Sequence, residues 1–597
     1  MQTLSESAER ALPARVRRRW LQTDAQALTV VCASLAAGVA LTWQRWGSPL
    51  IDCGREMNQP LRLLRGERLY GDISHFYGPL APVLNAALYR VAGISLDTLR
   101  SAGLAATLVI LAVTYWLGRR LMGRPAATLG ALTVTWLCAL APGGNYILPY
   151  AYAAVYGTAL SLLALAVGIA GLRSGRASAL FASGLLTALA FLAKTEMGVA
   201  ALAGGLTCAL LAGDRGWRAA AGRVAAILTP ALVLPVTVYF WYAGQVGWTP
   251  LLDEGHLLYQ NLPAAIVTFN QRMFGLDQPG RSLLLMVAVA LRLAFLASFL
   301  TWWALRRHAR VDARVTRWTL GLAGAVLSSS SIVGWQGGPY LAVPLLLLAL
   351  IAYHGRRVWR QLLSTGRAHG RAAVALVASI FALASLARTV LRVRSGGSYA
   401  SYLLPVAVVL FTYAWCALLP AWLPSSGARR FVQGAGLVLL SGWVLVAAGA
   451  TVHRYRALET AVLATPRGVM LTTPGMRRAF AEAMAFINTH TRPGDAVAIL
   501  PEGTSLLFFC DRRNPLHEEI TVPGVLYEDR AIETLMTRPI ALVLIANRPT
   551  PEYGPTRFGV DYGQRLMASV QERFAPCGRL GSAWPADALA FAAYCAR

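Results

Sequence analysis

Between about residue 26 and residue 450 the chain repeats apolar stretches of roughly 17–22 residues, each long enough to cross a hydrocarbon core of ~30 Å as a helix. This repeat decides the fold class: a mainly α, polytopic transmembrane bundle. Composition agrees, since 56% hydrophobic and 14% charged residues, with a mean hydropathy of +0.50, leave too little polar surface for a water-soluble protein of this size. Taking apolar runs as helices predicts about thirteen spans, at 26–44, 100–118, 125–141, 152–172, 177–193, 197–213, 222–243, 283–304, 317–335, 338–354, 371–390, 403–421 and 431–450. The stretch 79–94 carries Arg90 and an amphipathic spacing, which predicts a helix lying flat in the interface.

The net charge of +27 raises the question of nucleic acid, and its distribution answers it. Residues 451–597 carry 16 basic and 14 acidic groups, so nearly all the excess lies in the first 450 residues. There it falls in short clusters between apolar runs, such as Arg119/Arg120/Arg124, Arg306/Arg307/Arg310 and Arg356/Arg357/Arg360. These read as cytoplasmic loops, and no basic, aromatic-studded soluble face for nucleic acid is present. The expected topology is a cytoplasmic segment 1–25 leading into a retained signal-anchor, a membrane domain 26–450 with a long outer loop 45–99, and an extracytoplasmic domain 451–597. The expected location is a bacterial inner membrane.

The last part reads as α/β: helices at 476–489, 528–537 and 562–574 alternate with strands at 496–500, 541–545 and 588–595, which predicts a small layered sheet. Cys577 and Cys595 could join in a disulfide if that compartment is oxidising. The charged stretches Asp511-Arg512-Arg513 and Glu518-Glu519 read as a solvated loop. Neither a glycine-rich phosphate loop nor HExxH or GxSxG is found, leaving nucleotide, zinc and serine hydrolysis without support.

The first outer loop holds the best candidates for chemistry. Asp52 follows the first span by a few residues, and Glu56 lies one helical turn further on. A carboxylate at that depth suits a general base acting on an acceptor hydroxyl; equally, both acids could be solvated or paired with Arg55 and Arg62. Of 55 basic residues only Lys194 is Lys, and it falls between two spans beside Glu196, where a compact ammonium suits a phosphate oxygen. Arg392 and Arg394 follow a span on the outer side, as phosphate clamps or interface anchors. Tyr70, Tyr77, Glu196, His256 and Tyr402 are the expected substrate contacts.

The order of an outer Asp52, then LLRGERLYGD, then YGPL and an apolar helix, followed by FLAKTEMG, RVRSGGSYASYLLP, PEGTSLLFFCDRRNP and FGVDY, resembles the GT-C glycosyltransferase superfamily. Members include protein O-mannosyltransferases and the aminoarabinose transferase of lipid A. The resemblance implies inverting transfer of a sugar from a polyprenyl-phosphate donor to a lipid, glycan or protein acceptor at the outer face, with Asp52 in the catalytic acidic position. Mannosyltransferases of the family carry two adjacent acids; here Cys53 follows Asp52, so the second acid, with Glu56 as candidate, and a divalent metal cofactor stay open. Other readings of the same residues are a transporter or flippase for a lipid-linked sugar and a non-catalytic subunit of envelope assembly.

Overall fold

The computed structural model describes residues 14–213, 216–253, 264–306, 338–394, 399–581 and 589–597. Among them, eight helical segments are long and apolar enough to cross a membrane: Asp24–Thr42, Leu96–Leu121, Tyr152–Ser174, Trp217–Val246, Ala264–Arg306, Gly338–Thr365, Gly370–Thr389 and Ser426–Leu458. Shorter apolar helices stand at Ala177–Ala193, Thr195–Leu211 and Pro405–Ala421, where spans 177–193, 197–213 and 403–421 are expected. The last of these is not one regular helix: Pro405–Tyr413 gives way to a π-helical turn at Ala414–Leu418. The expected span 317–335 lies outside the described residues.

The outward faces of these helices are apolar. Leu232, Val233, Phe240 and Trp241 project from Trp217–Val246, and Leu284, Leu291 and Phe295 from Pro279–Arg306, all more than half exposed. A belt of this kind is stable against acyl chains and not against water. Hydroxyls within the apolar helices find local acceptors at several positions: those of Thr107, Thr133 and Thr187 donate to the carbonyl four residues back at 2.8, 2.7 and 2.9 Å. Small residues bring backbones together, as at Gly184, where a Cβ would collide with the Ile227 carbonyl of the neighbouring helix. The helix expected at 79–94 forms at Leu80–Ala92, burying Ala81, Asn85 and Tyr89 while Val83, Leu84 and Val91 face outward.

Ion pairs fix which ends of the bundle lie together. Asp24, near the start of the first span, pairs with Arg119 at 2.9 Å and Arg124 at 3.3 Å, so the first helix begins on the same side as the Arg119–Arg124 turn, as the charge pattern predicts. The opposite face carries Asp52, Lys194 and the C-terminal domain.

That domain opens with an antiparallel hairpin, β1 (Ala461–Thr465) and β2 (Gly468–Thr472), that was not expected from the sequence. A four-stranded sheet follows, made of β3 (Val497–Leu500), β4 (Leu542–Ala546), β5 (Phe574–Gly581) and β6 (Ala590–Ala596) in the order β3-β4-β6-β5. Only β3 and β4 run parallel. The helices Pro474–His490, Glu528–Thr537 and Gln564–Arg573 form where the alternation of apolar residues places them. Thr473 caps the first of them by accepting from Met476 N–H. Cys577 and Cys595 form a disulfide between β5 and β6.

The domain docks on the loop 45–99 through buried polar contacts. Asn58 donates to Thr504 O at 2.6 Å, and Arg62 reaches Glu519 at 2.8 Å, the Leu516 carbonyl at 3.0 Å and Glu67 at 2.7 Å. This corrects the expectation of a solvated loop. Arg512, Glu518 and Glu519 are buried: Arg512 donates to Thr491 and Asn488 and Glu518 accepts from Tyr527 N–H within the domain, while Arg62 supplies the countercharge to Glu519.

Candidate active site

Asp52 precedes the helix Cys53–Leu64 and is its N-terminal neighbour, but its side chain does not cap it. Its backbone lies at φ 60° and ψ −45°, and Cys53 N–H donates to Ile51 O at 2.6 Å. Asp52 therefore sits at the middle of a γ-turn, a conformation that L-residues adopt at a cost and that surrounding contacts must hold. Those contacts come from the C-terminal domain: Ser505 Oγ donates to the Pro49 carbonyl, and Gly54 lies so close to Thr504 and Ser505 that no Cβ fits. The turn leaves 31% of the Asp52 side chain accessible while its neighbours Cys53, Arg55 and Glu56 are buried.

Electrostatics tune this carboxyl upward. Surrounding protein raises the Asp52 pKa above the ordinary carboxylate value, with Arg55 and Arg548 acting in the opposite sense. The Arg55 guanidinium is 3.6 Å from Asp52, pairs with Glu56 at 3.1 Å and donates to the Tyr150 carbonyl at 2.8 Å. Burial disfavours the Arg55 charge, but Glu56, Tyr77 and Asp52 outweigh it and keep the group cationic.

Glu56 takes a different position from the one helical periodicity suggests. Its carboxylate turns inward, receives Arg55, and accepts from Tyr152 N–H at 2.8 Å. There it serves the first turn of the Tyr152–Ser174 helix, where free backbone N–H groups attract an anion. Asp52, not Glu56, presents an open carboxylate oxygen.

Lys194 joins the helices Ala177–Ala193 and Thr195–Leu211 and is 3% exposed. Its ammonium donates to the Tyr150 hydroxyl at 3.0 Å, pairs with Glu196 at 3.3 Å, and lies 4.8 Å from the Tyr77 ring centroid, 5.4 Å from that of Tyr150 and 5.9 Å from that of Tyr399. A second cation shares Glu196: Arg388, at 3.4 Å, which also donates to Asn270 at 2.8 Å. Sequence reasoning favoured Arg392 and Arg394 for this place. Arg392 instead donates to the Arg272 carbonyl on the exposed side, and Arg394 is a half-buried neighbour whose pKa burial and Arg392 push down to about 10.

The expected aromatic contacts divide in two. Tyr77 lines the site: its ring centroid lies 5.6 Å from the Arg55 guanidinium and 4.8 Å from the Lys194 ammonium. Tyr402 stands behind it, stacked on Tyr146 and edge-on to Tyr150, with its hydroxyl on the Asn145 carbonyl at 2.9 Å. Tyr70 supports the loop: at φ 68° it is buried against Tyr242 and donates to the Tyr77 carbonyl at 2.8 Å. His256 lies outside the described residues.

Sequence reasoning missed the contribution of the C-terminal domain. Glu502, directly after β3, and Arg548 and Glu552, after β4, form an ion-paired group. Tyr553 beside them stacks on Phe269 at 4.9 Å, and Phe269 adjoins Tyr399. Burial raises the Glu502 pKa to about 8, helped by Asp52 and Glu552 and opposed by Arg548. No signal in the spacing of PEGTSLL or ANRPTPEYG marks these residues, because only the tertiary fold brings them to Asp52.

Among the described residues no three His, Cys, Asp or Glu side chains converge as a metal site. The carboxylates around Asp52 are interleaved with cations: Arg55 pairs with Asp52 and Glu56, and Arg548 with Glu502 and Glu552.

The helical membrane body, with an accessible carboxylate at the start of its first loop helix and an α/β domain seated on that loop, shares its overall fold with solved structures of low sequence identity. One of these is ArnT from Cupriavidus metallidurans bound to undecaprenyl phosphate, with a TM-score of 0.50 over 96% of this chain and 98% of that one at 13% identity. Its apo form gives the same score at 14% identity. The Archaeoglobus fulgidus oligosaccharyltransferase is more distant, with a TM-score of 0.42 and 11% identity over 87% of this chain and 69% of the other. No family model and no curated protein sequence matches the chain.

Proposed function

We propose that this protein is a membrane glycosyltransferase that moves a sugar from a polyprenyl-phosphate donor to an envelope acceptor, inverting the anomeric carbon, with Asp52 as general base. The observation that carries this reading is the pairing of one accessible, strained carboxylate at Asp52 with a buried cationic pocket at Lys194, the two joined through Tyr77 and Tyr150. An acceptor hydroxyl attacks the anomeric carbon while Asp52 takes its proton; the bond from that carbon to the phosphate oxygen breaks, and the lipid phosphate departs as an anion. Lys194 and Arg388 supply the charge that stabilises this anion, a term that grows in a site shielded from water. Glu56 orients Arg55. The disulfide between Cys577 and Cys595 supports an oxidising compartment for the C-terminal domain, hence the extracytoplasmic side of a bacterial inner membrane with the N-terminus inside.

Sugar release from radiolabelled polyprenyl-phosphate sugars, by purified protein in lipid with and without chelator, tests the reading. Turnover of one donor that falls steeply in Asp52→Asn supports it, and the chelator arm decides whether a divalent metal takes part. Binding without turnover for every acceptor class, or turnover unchanged in Asp52→Asn, overturns the assigned chemistry.

A further inference from the structure

The end of the bundle away from Asp52 carries a groove that the chemistry above does not use. Three helices pack on one another there: the first span Asp24–Thr42, the helix Arg124–Val134 and the last long helix Ser426–Leu458. Residues three apart share a helix face, and on two of these helices such pairs are apolar. Ala27 and Val30, Leu129 and Leu132, together with Leu437, wall an open space of about 400 Å³ that Arg124 also lines. Val30 is 52% exposed within it. A space of that size falls in the range of small-molecule sites, about 300–1,000 Å³.

Positive charge gathers at the same end. Asp24 accepts from Tyr115 Oη at 2.7 Å and is shared by Arg119 at 2.9 Å and Arg124 at 3.3 Å. Arg120, 4.9 Å from the centre of the Trp116 ring, adds a third guanidinium to the turn against this one carboxylate. Arg124 gives Asp24 only its Nε. Its two Nη groups have no partner among the described residues, and its side chain is 37% exposed. Arg430 on the last helix is exposed and likewise without a partner among the described residues. It precedes Leu437 by seven residues and Ser441, another lining residue, by eleven. That spacing sets it on the face that forms the groove, about 10 Å nearer the start of the helix.

We propose that this groove seats a phospholipid with an anionic headgroup, one acyl chain lying along Leu129, Leu132 and Leu437 and the headgroup phosphate held by Arg124 and Arg430. An apolar slot between helices matches the chain, and guanidinium forks match phosphate oxygens. The net positive charge decides between headgroups. A zwitterionic lipid brings the same chain and the same phosphate, but its own ammonium cancels the attraction, whereas an anionic lipid gains about fivefold per Arg near the surface. The groove therefore selects on headgroup charge. It lies at the opposite end of the bundle from Lys194, so it neither uses nor competes for the site described above.

The experiment uses full-length protein in phosphatidylcholine nanodiscs doped with a trace of phosphatidylglycerol or phosphatidylcholine that carries a diazirine in one acyl chain. Irradiation followed by peptide mass spectrometry reads the label on residues 26–30, 124–132 and 437–441. Wild type is expected to take label from phosphatidylglycerol about 10- to 25-fold more than from phosphatidylcholine. Arg430→Gln, which breaks no contact among the described residues and so leaves the fold intact, should lower that preference about fivefold. Arg430→Lys should keep most of it, and Arg124→Gln with Arg430→Gln should bring the two lipids to near equality. Equal labelling by both lipids in wild type overturns the proposal, as does a preference that survives in the double variant. Displacement of the label by polyprenyl phosphate at a concentration where phosphatidylglycerol does not compete also overturns it, since the occupant is then a different lipid. The readout is labelling and not turnover, so its outcome is independent of the glycosyltransferase reading.

Discussion

The Lys194 ammonium stands 4.8 Å from the centre of the Tyr77 ring, while the Arg55 guanidinium stands 5.6 Å from the same centre. One aromatic side chain thus joins the cation of the base side to the cation of the pocket. A buried ammonium held by one carboxylate, one hydroxyl and aromatic rings keeps donor capacity for an incoming oxyanion. Lys194→Ala removes a charge-assisted contact of about 1.5–3 kcal/mol, so the affinity for polyprenyl phosphate should fall by roughly 10- to 150-fold. Binding of labelled polyprenyl phosphate to protein in nanodiscs measures this, and unaltered affinity would remove Lys194 from the pocket.

A base works only when deprotonated. Because burial raises the Asp52 pKa, with Arg55 and Arg548 only partly offsetting it, turnover should decline on the acid side at a pH above that of an ordinary aspartate, and recover fully as pH rises past the raised value. Asp52→Asn should cost about 10²- to 10⁴-fold in kcat and leave donor binding within a few-fold of wild type. A pH–rate profile with its acidic limb at or below pH 4 would contradict the environment described for this carboxyl.

Much of this architecture is legible in the sequence, and the reasons differ by element. The long apolar helices and the helix Leu80–Ala92 follow from run length and amphipathic spacing, which are local properties. The helix Glu528–Thr537 and strand Leu542–Ala546 follow from periodicity alone. Asp52 and Lys194 stand out because each is a charged residue at a membrane edge. Glu502 and Arg548 do not, since the segment that carries Glu502 is brought to the Asp52 turn by contacts between residues more than 440 positions apart, and Arg548 follows it through their ion pair. Glu519 reads as solvated for the same reason: its partner, Arg62, belongs to the first loop. Arg388 rather than Arg392 reaches Glu196 because Ala387–Thr389 tightens into a 3-10 turn at the end of its helix, a detail hydropathy does not register.

The Arg62–Glu519 pair offers a separate test of domain docking. Both side chains are nearly inaccessible, so Arg62→Met leaves the Glu519 carboxylate buried without its countercharge and should destabilise the native state by about 3–5 kcal/mol, whereas Glu519→Gln should cost less, because Arg62 keeps its pair with Glu67. The double variant should recover part of the Arg62→Met loss, because the stranded buried carboxylate is gone. Limited proteolysis of the C-terminal domain in the intact protein would report it; additive losses in the double variant would show that the two groups do not depend on each other.

The disulfide should matter to the sheet and not to the chemistry. Cys577 and Cys595 close a segment of 18 residues between β5 and β6, and a loop of that size contributes about 3 kcal/mol through the unfolded chain. Cys577→Ser, or reduction of the wild type, should lower the thermal resistance of the C-terminal domain while leaving kcat at moderate temperature nearly unchanged, since β5 lies at the far edge of the sheet from β3 and Glu502. Comparable losses of kcat and stability at 25 °C would mean that the edge strands also hold the Asp52 turn.

Gly54 is where the membrane body and the domain meet most closely. A methyl group there would fall within contact distance of Thr504 Oγ1 and 2.5 Å from Ser505 N, and the backbone on both sides is hydrogen-bonded, so neither side yields cheaply. Gly54→Ala must therefore push the 501–505 segment away from the Asp52 turn, weakening the contacts that hold Asp52 at positive φ and separating Arg548 from it. Donor binding, which depends on Lys194 and Arg388 on the other side of Tyr77, should persist within about threefold, whereas kcat should fall by roughly 10- to 100-fold, in line with small misplacements of a reacting group. Steady-state kinetics beside equilibrium binding separates the two quantities. Equal losses in both would mean that the turn and the cationic pocket move as one unit, and unchanged kcat would mean that the domain does not set the geometry of the base.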